Sequence, residues 1–289
     1  MINTVTLRGK NFKLFERSCP LSCEKVGQTK ELPFIDLTVH MTNSCNAACL
    51  FCCNEGHNEF IFDVEAFKDF FDDTYKTINI NKVTFTGGEP TLKIRELNEC
   101  LDHIEGKCRL ITVNTNGTRI DALGHRAIHR IAWSRHHYDD NVNNEIFGVT
   151  IGNPIAEPEE DAFCGMNPSI KGKVALVCNL IKGYIDNTDS AYKMLEFAAA
   201  NGIEDMSFVG LMPCNAWSTE HQVPLDVLKF GKDVLCTRQL HYEVEGVCKC
   251  SNYVYTASNG KIVHFYMRHN MIPEYDKGSR VVWKNNQIE

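Results

Sequence analysis

The chain has 289 residues, with 30 Lys and Arg against 37 Asp and Glu, a net charge of −7 and 14 cysteines. The acidic balance and the lack of a Lys/Arg cluster argue against a nucleic-acid binder, and no run near about 18 apolar residues reads as a membrane span. The first residues carry Arg8, Lys10 and Lys13 without an apolar stretch, which is no secretory signal, so the expected compartment is the cytoplasm. Thiols stay reduced there, and this cysteine content points to metal or catalysis rather than to a disulfide scaffold.

Residues 1–34 include a hairpin-like stretch, TVTLRGKNFKLFE, read as an accessory edge. A first strand is expected over 35–41. A helix follows over about 63–76, with Val64, Phe67, Phe70, Phe71 and Tyr75 on one face and Asp63 as its cap. A second strand, 82–86, ends at Gly87 and Gly88. A helix over 94–104 puts Leu97, Leu101 and Ile104 on one side. A third strand, 109–114, leads to a turn at Asn116–Gly117, then a short helix over 121–130 and a fourth strand over 131–135. A fifth strand spans 172–180, a helix 190–201 stops at Gly202, and a sixth strand spans 205–211.

Six strands alternating with helices predict βα units around a parallel sheet. The expected fold is α/β: an open, partial (β/α)6 TIM-like barrel over residues 35–211, with its active site at the C-terminal ends of the strands. After residue 211 a helix over 225–235 and a cysteine-rich segment are expected. The stretch YVYTASNGKIVHFYM then reads as a hairpin turning at Asn259–Gly260. Residues 212–289 therefore read as a small C-terminal Cys-rich α+β module.

Directly after the first strand, TNSCNAACLFCCNEGH spaces Cys45, Cys49 and Cys52 as C-x3-C-x2-C. Three close thiolates suit an iron–sulfur cluster held at three irons, with a fourth iron open. A zinc site needs a fourth ligand, which His57 could supply, so zinc stays open on spacing alone.

With Phe51 as the aromatic before the last cysteine, the motif resembles the signature of the radical S-adenosylmethionine (SAM) superfamily. Gly87-Gly88-Glu89-Pro90 resembles that family's GGE motif, and VNTNG after the third strand is also typical of it. The resemblance covers roughly residues 35–212. It implies a [4Fe–4S] cluster on Cys45, Cys49 and Cys52 whose open iron chelates the methionine moiety of SAM. It also implies that Gly87 and Gly88, lacking Cβ, let the backbone approach the ligand, and that Glu89 accepts from its amine. Phe51 and Leu211 would pack on the adenine. Asn114 and Asn116 would bond the ribose or carboxylate, and Ser134 and Arg135 end strand four, with Arg135 pairing the carboxylate. The implied chemistry is one-electron cleavage of the sulfonium to methionine and a 5′-deoxyadenosyl radical, which takes a hydrogen atom from substrate.

Cys214, Cys236, Cys248 and Cys250 are enough thiolates to ligate a second [4Fe–4S] cluster completely. This part resembles the twitch modules of butirosin-type alcohol dehydrogenases and the plan of the molybdenum-cofactor GTP cyclase, although C-x-C is tighter than their usual C-x2-C. A zinc site or plain buried thiols is the other reading. A fully ligated second cluster would act in electron transfer and suit a net oxidation. Cys100 and Cys178 are expected in the core, with hydrogen-atom donation the alternative for Cys178, and Cys19 and Cys23 stay unassigned.

In SRHHYDD, His136, His137, Tyr138 and Asp139 are substrate-binding candidates, together with Glu55 and His57; a solvated polar loop is the alternative. The expected function is an oxidative radical enzyme acting on a small polar substrate such as a nucleoside, nucleotide or sugar, supplied with electrons by a flavodoxin or ferredoxin. No nucleic-acid or membrane partner is expected. The N-terminal segment looks too short for a leader-peptide module, yet a separate leader-binding protein would allow peptide modification. A glycyl-radical activating enzyme and a non-catalytic zinc or Fe–S protein are the remaining alternatives.

Overall fold

The computed structural model describes residues 4–13, 34–54, 60–149, 168–239, 251–268 and 280–288. Strands β1 (Thr4–Leu7) and β2 (Lys10–Lys13) form the expected N-terminal hairpin. Strands β3 (Phe34–His40), β4 (Asn79–Thr86), β5 (Leu110–Thr115), β6 (Arg130–Ser134), β7 (Val174–Leu180) and β8 (Asp205–Gly210) pair in chain order, and every pairing is parallel. These are the six strands read from the sequence, with their ends displaced by a few residues.

The helices are α1 (Val64–Thr77), α2 (Ile94–Ile104), α3 (Asp140–Phe147), α4 (Pro168–Lys171), α5 (Thr188–Ala200) and α6 (Ala216–Glu220). Asp63 caps α1 by accepting the Ala66 N–H, and Phe67, Phe70, Phe71 and Thr74 form its buried stripe. A capping box between Asn187 and Ser190 starts α5.

Two expected helices are absent from their places. Over 121–130 there is only a 3-10 turn at Ile120–Ala122. Gly124 weakens a helix there, and the His125 Nδ1 takes the Ala127 N–H at 3.2 Å, which competes with helical bonding. Over 225–235 a 3-10 turn at Leu225–Val227 gives way to strand β9 (Val234–Gln239). Pro224 precedes that turn, and the Gly231 N–H is held by the Tyr192 hydroxyl instead of a helical carbonyl.

The segment after residue 211 does not stand apart from the barrel sheet. Strand β11 (Ile262–Arg268) pairs parallel with β8, and β10 (Ser251–Thr256) pairs antiparallel with β11 and with β9. At the opposite edge β12 (Arg280–Lys284) pairs parallel with β3 and antiparallel with β13 (Gln287–Ile288). The result is one eleven-stranded sheet with two ends, not a closed barrel. No helix among the described residues is long and apolar enough to cross a membrane.

Cys100 and Cys178 are fully buried in the core. Cys178 faces away from the central cavity, whose wall is made by its neighbours Val177 and Asn179. The alternation of a strand thus overturns its candidacy as a hydrogen-atom donor.

Trp283 of β12 is fully buried, stacks on Phe70 of α1 at 4.6 Å, and lies 5.6 Å from the Arg8 guanidinium of the N-terminal hairpin. It locks the late strand against the first helix. Trp283→Ala is expected to cost about 3–5 kcal/mol, read as a lower urea midpoint with an unchanged slope.

Candidate cofactor and active site

The β3–β4 pairing continues beyond the strand ends and so positions the cysteine loop. Met41 N–H donates to Thr86 O at 2.9 Å, Gly88 N–H to Thr42 O at 2.7 Å, and Glu89 N–H to Ser44 O at 2.9 Å. A Cβ on Gly87 would sit 2.4 Å from Thr42 O, and one on Gly88 would sit 2.0 Å from Ser44 O. Gly87 also has a φ of +133°. The two glycines line the cavity, but the contact that demands them is with the backbone of the cysteine loop.

Glu89 is 1% exposed. Its Oε1 accepts from Thr91 N–H at 3.1 Å, Thr91 O–H at 2.7 Å and Thr115 O–H at 2.8 Å, and its Oε2 accepts from Asn116 N–H at 2.8 Å. The carboxylate expected to meet a ligand amine is therefore mainly a brace between the ends of β4 and β5. Asn116 continues the brace, its Nδ2 donating to Asn46 Oδ1 at 2.8 Å and to Cys45 Sγ at 3.8 Å.

Cys45, Cys49 and Cys52 line one wall of a cavity of about 480 Å³ that runs along the inner face of strands β4 to β8 and opens toward their C-terminal ends. Burial pushes the Cys49 thiol up to about 12, and charge on Cys52 and Cys45 adds to the rise. Burial likewise raises Cys45, against the opposing Ala47 N–H contact. Three thiolates can coexist here only with positive charge among them, which an iron–sulfur cluster supplies. The sulfurs already carry outer contacts: Ala47 N–H to Cys45 Sγ and Asn54 N–H to Cys52 Sγ, each at 3.4 Å. Such N–H···S contacts are what tune cluster sulfurs. Among the described residues no fourth His, Cys, Asp or Glu joins the three thiols, as a structural zinc site would need. The residues present fit the group.

Phe51 also lines the cavity, edge-on to His136 at 5.1 Å, and His136 stacks on Phe147 at 5.2 Å. His136 Nδ1 accepts the Asn179 N–H at 3.0 Å, so the neutral ring carries its proton on Nε2. Asn114, Asn116, Ser134 and His136 all line the cavity, as expected of binding residues.

Other candidates lie elsewhere. Arg135 follows inward Ser134 and points outward; it pairs with Asp140, donates to Tyr138 O at 3.1 Å and sits 4.3 Å from the Phe197 ring centroid. Leu211 packs with Ile146 and Ile181 behind Phe51, and Val209 takes the place at the wall. Asp139 caps α3 by accepting from Asn141 and Val142 N–H groups, His137 Nδ1 accepts the Asp139 N–H, and the Tyr138 ring lies against His137 and Lys193. These are folding roles. Glu55 and His57, like Cys19, Cys23 and Cys164, lie outside the described residues.

Residues not singled out from the sequence also face the cavity: Lys82 and Thr84 on β4, Thr112 on β5, Arg130 on β6, Asn179 on β7 and Arg268 on β11. For the barrel strands the signal was present as polar residues at every second position of an apolar run.

The expected set Cys214, Cys236, Cys248 and Cys250 is not assembled among the described residues. Cys214 is disulfide-bonded to Cys53, with Cα atoms 5.1 Å apart. Cys236 is exposed on β9, which β11 and β10 separate from β8. Cys248 and Cys250 lie outside the described residues.

Two outcomes follow from this geometry. Gly88→Ala forces the loop off its register, so the variant should lose most of its iron after anaerobic reconstitution while keeping a folded circular-dichroism spectrum. Burial also pushes His136 down from the usual imidazole range to about 3. The unfolded chain protonates this residue first as pH falls, so the stability tied to the neutral ring is full above about pH 6.5. It is then lost on acidification at about 1.4 kcal/mol per pH unit. The parent urea midpoint should fall between pH 7 and pH 5, and should fall less in His136→Asn, whose Oδ1 can still accept the Asn179 N–H.

Residues 39–155 match the family model of the Radical SAM superfamily. Curated relatives include a probable GTP 3′,8-cyclase of Thermococcus kodakarensis, 28% identical over 177 residues, 59% of this chain and 55% of the relative. Another, of Sulfolobus acidocaldarius, is 26% identical over 185 residues, 62% of this chain and 56% of the relative. The chain thus spans little more than half the length of these relatives. Streptococcus suis SuiB bound to S-adenosylmethionine overlays with a TM-score of 0.51 at 17% identity, over 69% of this chain and 44% of that one, a likeness of fold. Residues 39–155, with the cysteine loop and GGE turn on successive parallel strands inside them, thus form a radical SAM domain, a family whose cofactor is a [4Fe–4S] cluster with S-adenosylmethionine.

Proposed function

We propose that this radical SAM enzyme removes a hydrogen atom from a small, polar, anionic substrate of nucleotide type, in a net oxidation or rearrangement. The observation that carries the reading is the composition of the cavity. Among the described lining residues the one carboxylate, Glu89, is engaged with protein donors, and three cationic side chains, Lys82, Arg130 and Arg268, each also partnered within the protein, lie along the same space. The volume falls in the usual range for small-molecule sites. The relatives named as GTP 3′,8-cyclases support a nucleotide.

When bound, the cluster and S-adenosylmethionine supply reductive cleavage of the C5′–S bond and the 5′-deoxyadenosyl radical. The chain's own residues do the rest. Cys45, Cys49 and Cys52 bind the cluster, and Asn116 holds the first of them in place. Phe51, His136 and Phe147 form an aromatic wall suited to a flat ring. His136, kept neutral by burial, offers its Nε2 proton to an acceptor without adding charge. Thr84, Thr112, Asn114, Ser134 and Asn179 orient hydroxyls. A flavodoxin or ferredoxin supplies the electron.

The test is anaerobic. Reconstituted parent should release 5′-deoxyadenosine from S-adenosylmethionine and dithionite, faster with GTP or another nucleoside triphosphate present. The variant with Cys45, Cys49 and Cys52 changed to Ala should release none. An iron-loaded parent that yields no 5′-deoxyadenosine overturns the radical reading. Release that is indifferent to every nucleotide, and passes no deuterium from labelled nucleotide to 5′-deoxyadenosine, overturns the substrate class.

A further inference from the structure

We infer that Thr112 and Thr84 form the floor of the substrate site and hold a neutral, hydrogen-bonding edge of the substrate; this rests on the nucleotide reading above and says which part of the nucleotide goes deepest. Thr112 is 4% exposed and faces the cavity, and among the described residues its Oγ1 has no hydrogen-bond partner. Thr84 is its register partner on β4, is 9% exposed and lines the same space. Cross-strand Thr pairs can satisfy each other, yet this one leaves Thr112 Oγ1 unpaired. A buried hydroxyl without a partner weakens the fold, and an isosteric Val would remove that cost. The same face accepts Val elsewhere, since Val177 and Val209 also line the cavity. A polar group held at a cost to stability inside a cavity is one that a ligand completes.

Depth separates this pair from the cofactor. Thr112 lies inside the end of β5 at Thr115, about 10 Å down the strand at about 3.3 Å per residue. Asn116, just past that end, touches Cys45. The floor therefore meets substrate rather than the group that the cysteines hold. Chemistry then selects the part of the substrate. The cations along the same space, Lys82, Arg130 and Arg268, already have partners within the protein. The capacity left open at Thr112 is a neutral hydroxyl, which both donates and accepts. A nucleobase edge or a sugar diol offers acceptors and donors together. A phosphate offers only acceptors, and it would bring charge to a floor whose open group has none.

The test is anaerobic calorimetry on iron-loaded parent, Thr112→Val, Thr84→Val and Thr112→Ser, saturated with S-adenosylmethionine and without reductant. GTP should bind each Val variant about tenfold more weakly, as the loss of one neutral hydrogen bond predicts. Thr112→Ser, which keeps the hydroxyl, should bind close to parent. The Val penalty should persist for guanosine, which has no phosphate, and be absent for inorganic triphosphate. If ribose 5-phosphate also shows the penalty, the sugar diol is the edge that is held; if it does not, the base is. A second arm needs no ligand: Thr112→Val should leave the urea midpoint of the unliganded protein unchanged or raised, because it removes an unpaired hydroxyl. Unchanged GTP affinity in Thr112→Val overturns the inference. So does an equal Val penalty for inorganic triphosphate, or a lowered urea midpoint in Thr112→Val. A parent that binds no nucleotide counts against the nucleotide reading instead, and the urea arm still decides whether the Thr112 hydroxyl is an open group.

Discussion

A single buried carboxylate holds the site together. Glu89 gathers the backbone and hydroxyl of Thr91, the hydroxyl of Thr115 and the backbone of Asn116 onto its two oxygens, and its own N–H reaches Ser44 in the cysteine loop. Hydrogen bonds to a charged group are each worth about 1.5–3 kcal/mol, and a buried carboxylate without donors is costly. The ends of β4 and β5 are therefore fixed by one side chain, and the start of the cysteine loop by the backbone of the same residue. The loop inherits its position from the sheet and needs no ordering of its own at its first cysteine.

The same sheet separates two chemistries by alternation. On β6, Ser134 faces the cavity while Arg135 turns out to Asp140 and the Phe197 ring; on β7, Val177 and Asn179 face in while Cys178 is sealed in the core. Polar hydroxyls and amides are thereby kept on the cavity side with the three cysteines, and the thiol and guanidinium are kept from it. The outward guanidinium is part of the layer that seats α5 against the strands.

The six-strand frame, and the gathering of Cys45, Cys49 and Cys52 at its cavity, were legible because strand alternation, glycine turns and close cysteine spacing are local signals. The roles of Gly87, Gly88 and Glu89 were legible only in part. Their positions were evident, but the partners that explain them, Ser44 and Asn116, are set by pairing between distant strands. Arg135, Asp139 and Tyr138 misled for the opposite reason. Charged and aromatic residues at a strand exit read as a binding loop, and nothing local says which side of the sheet a bend will take. Arg268 was invisible as a cavity residue because the parallel pairing of β11 with β8 leaves no mark in the hairpin that contains it. The separation of a C-terminal module failed to anticipate that its strands would extend both edges of one sheet.

That last feature bears on biosynthesis. Strand β3 carries the cysteine loop at its end, and it gains its outer neighbour only from β12, residues Arg280–Lys284. Until those residues leave the ribosome, β3 has a bare hydrogen-bonding edge, and the aromatic seal of Trp283 on Phe70 is missing. Pairing across such a sequence distance is slow. The strand that carries the cysteine loop is thus open to edge-to-edge association through most of synthesis, and covering it falls to one of the last strands made.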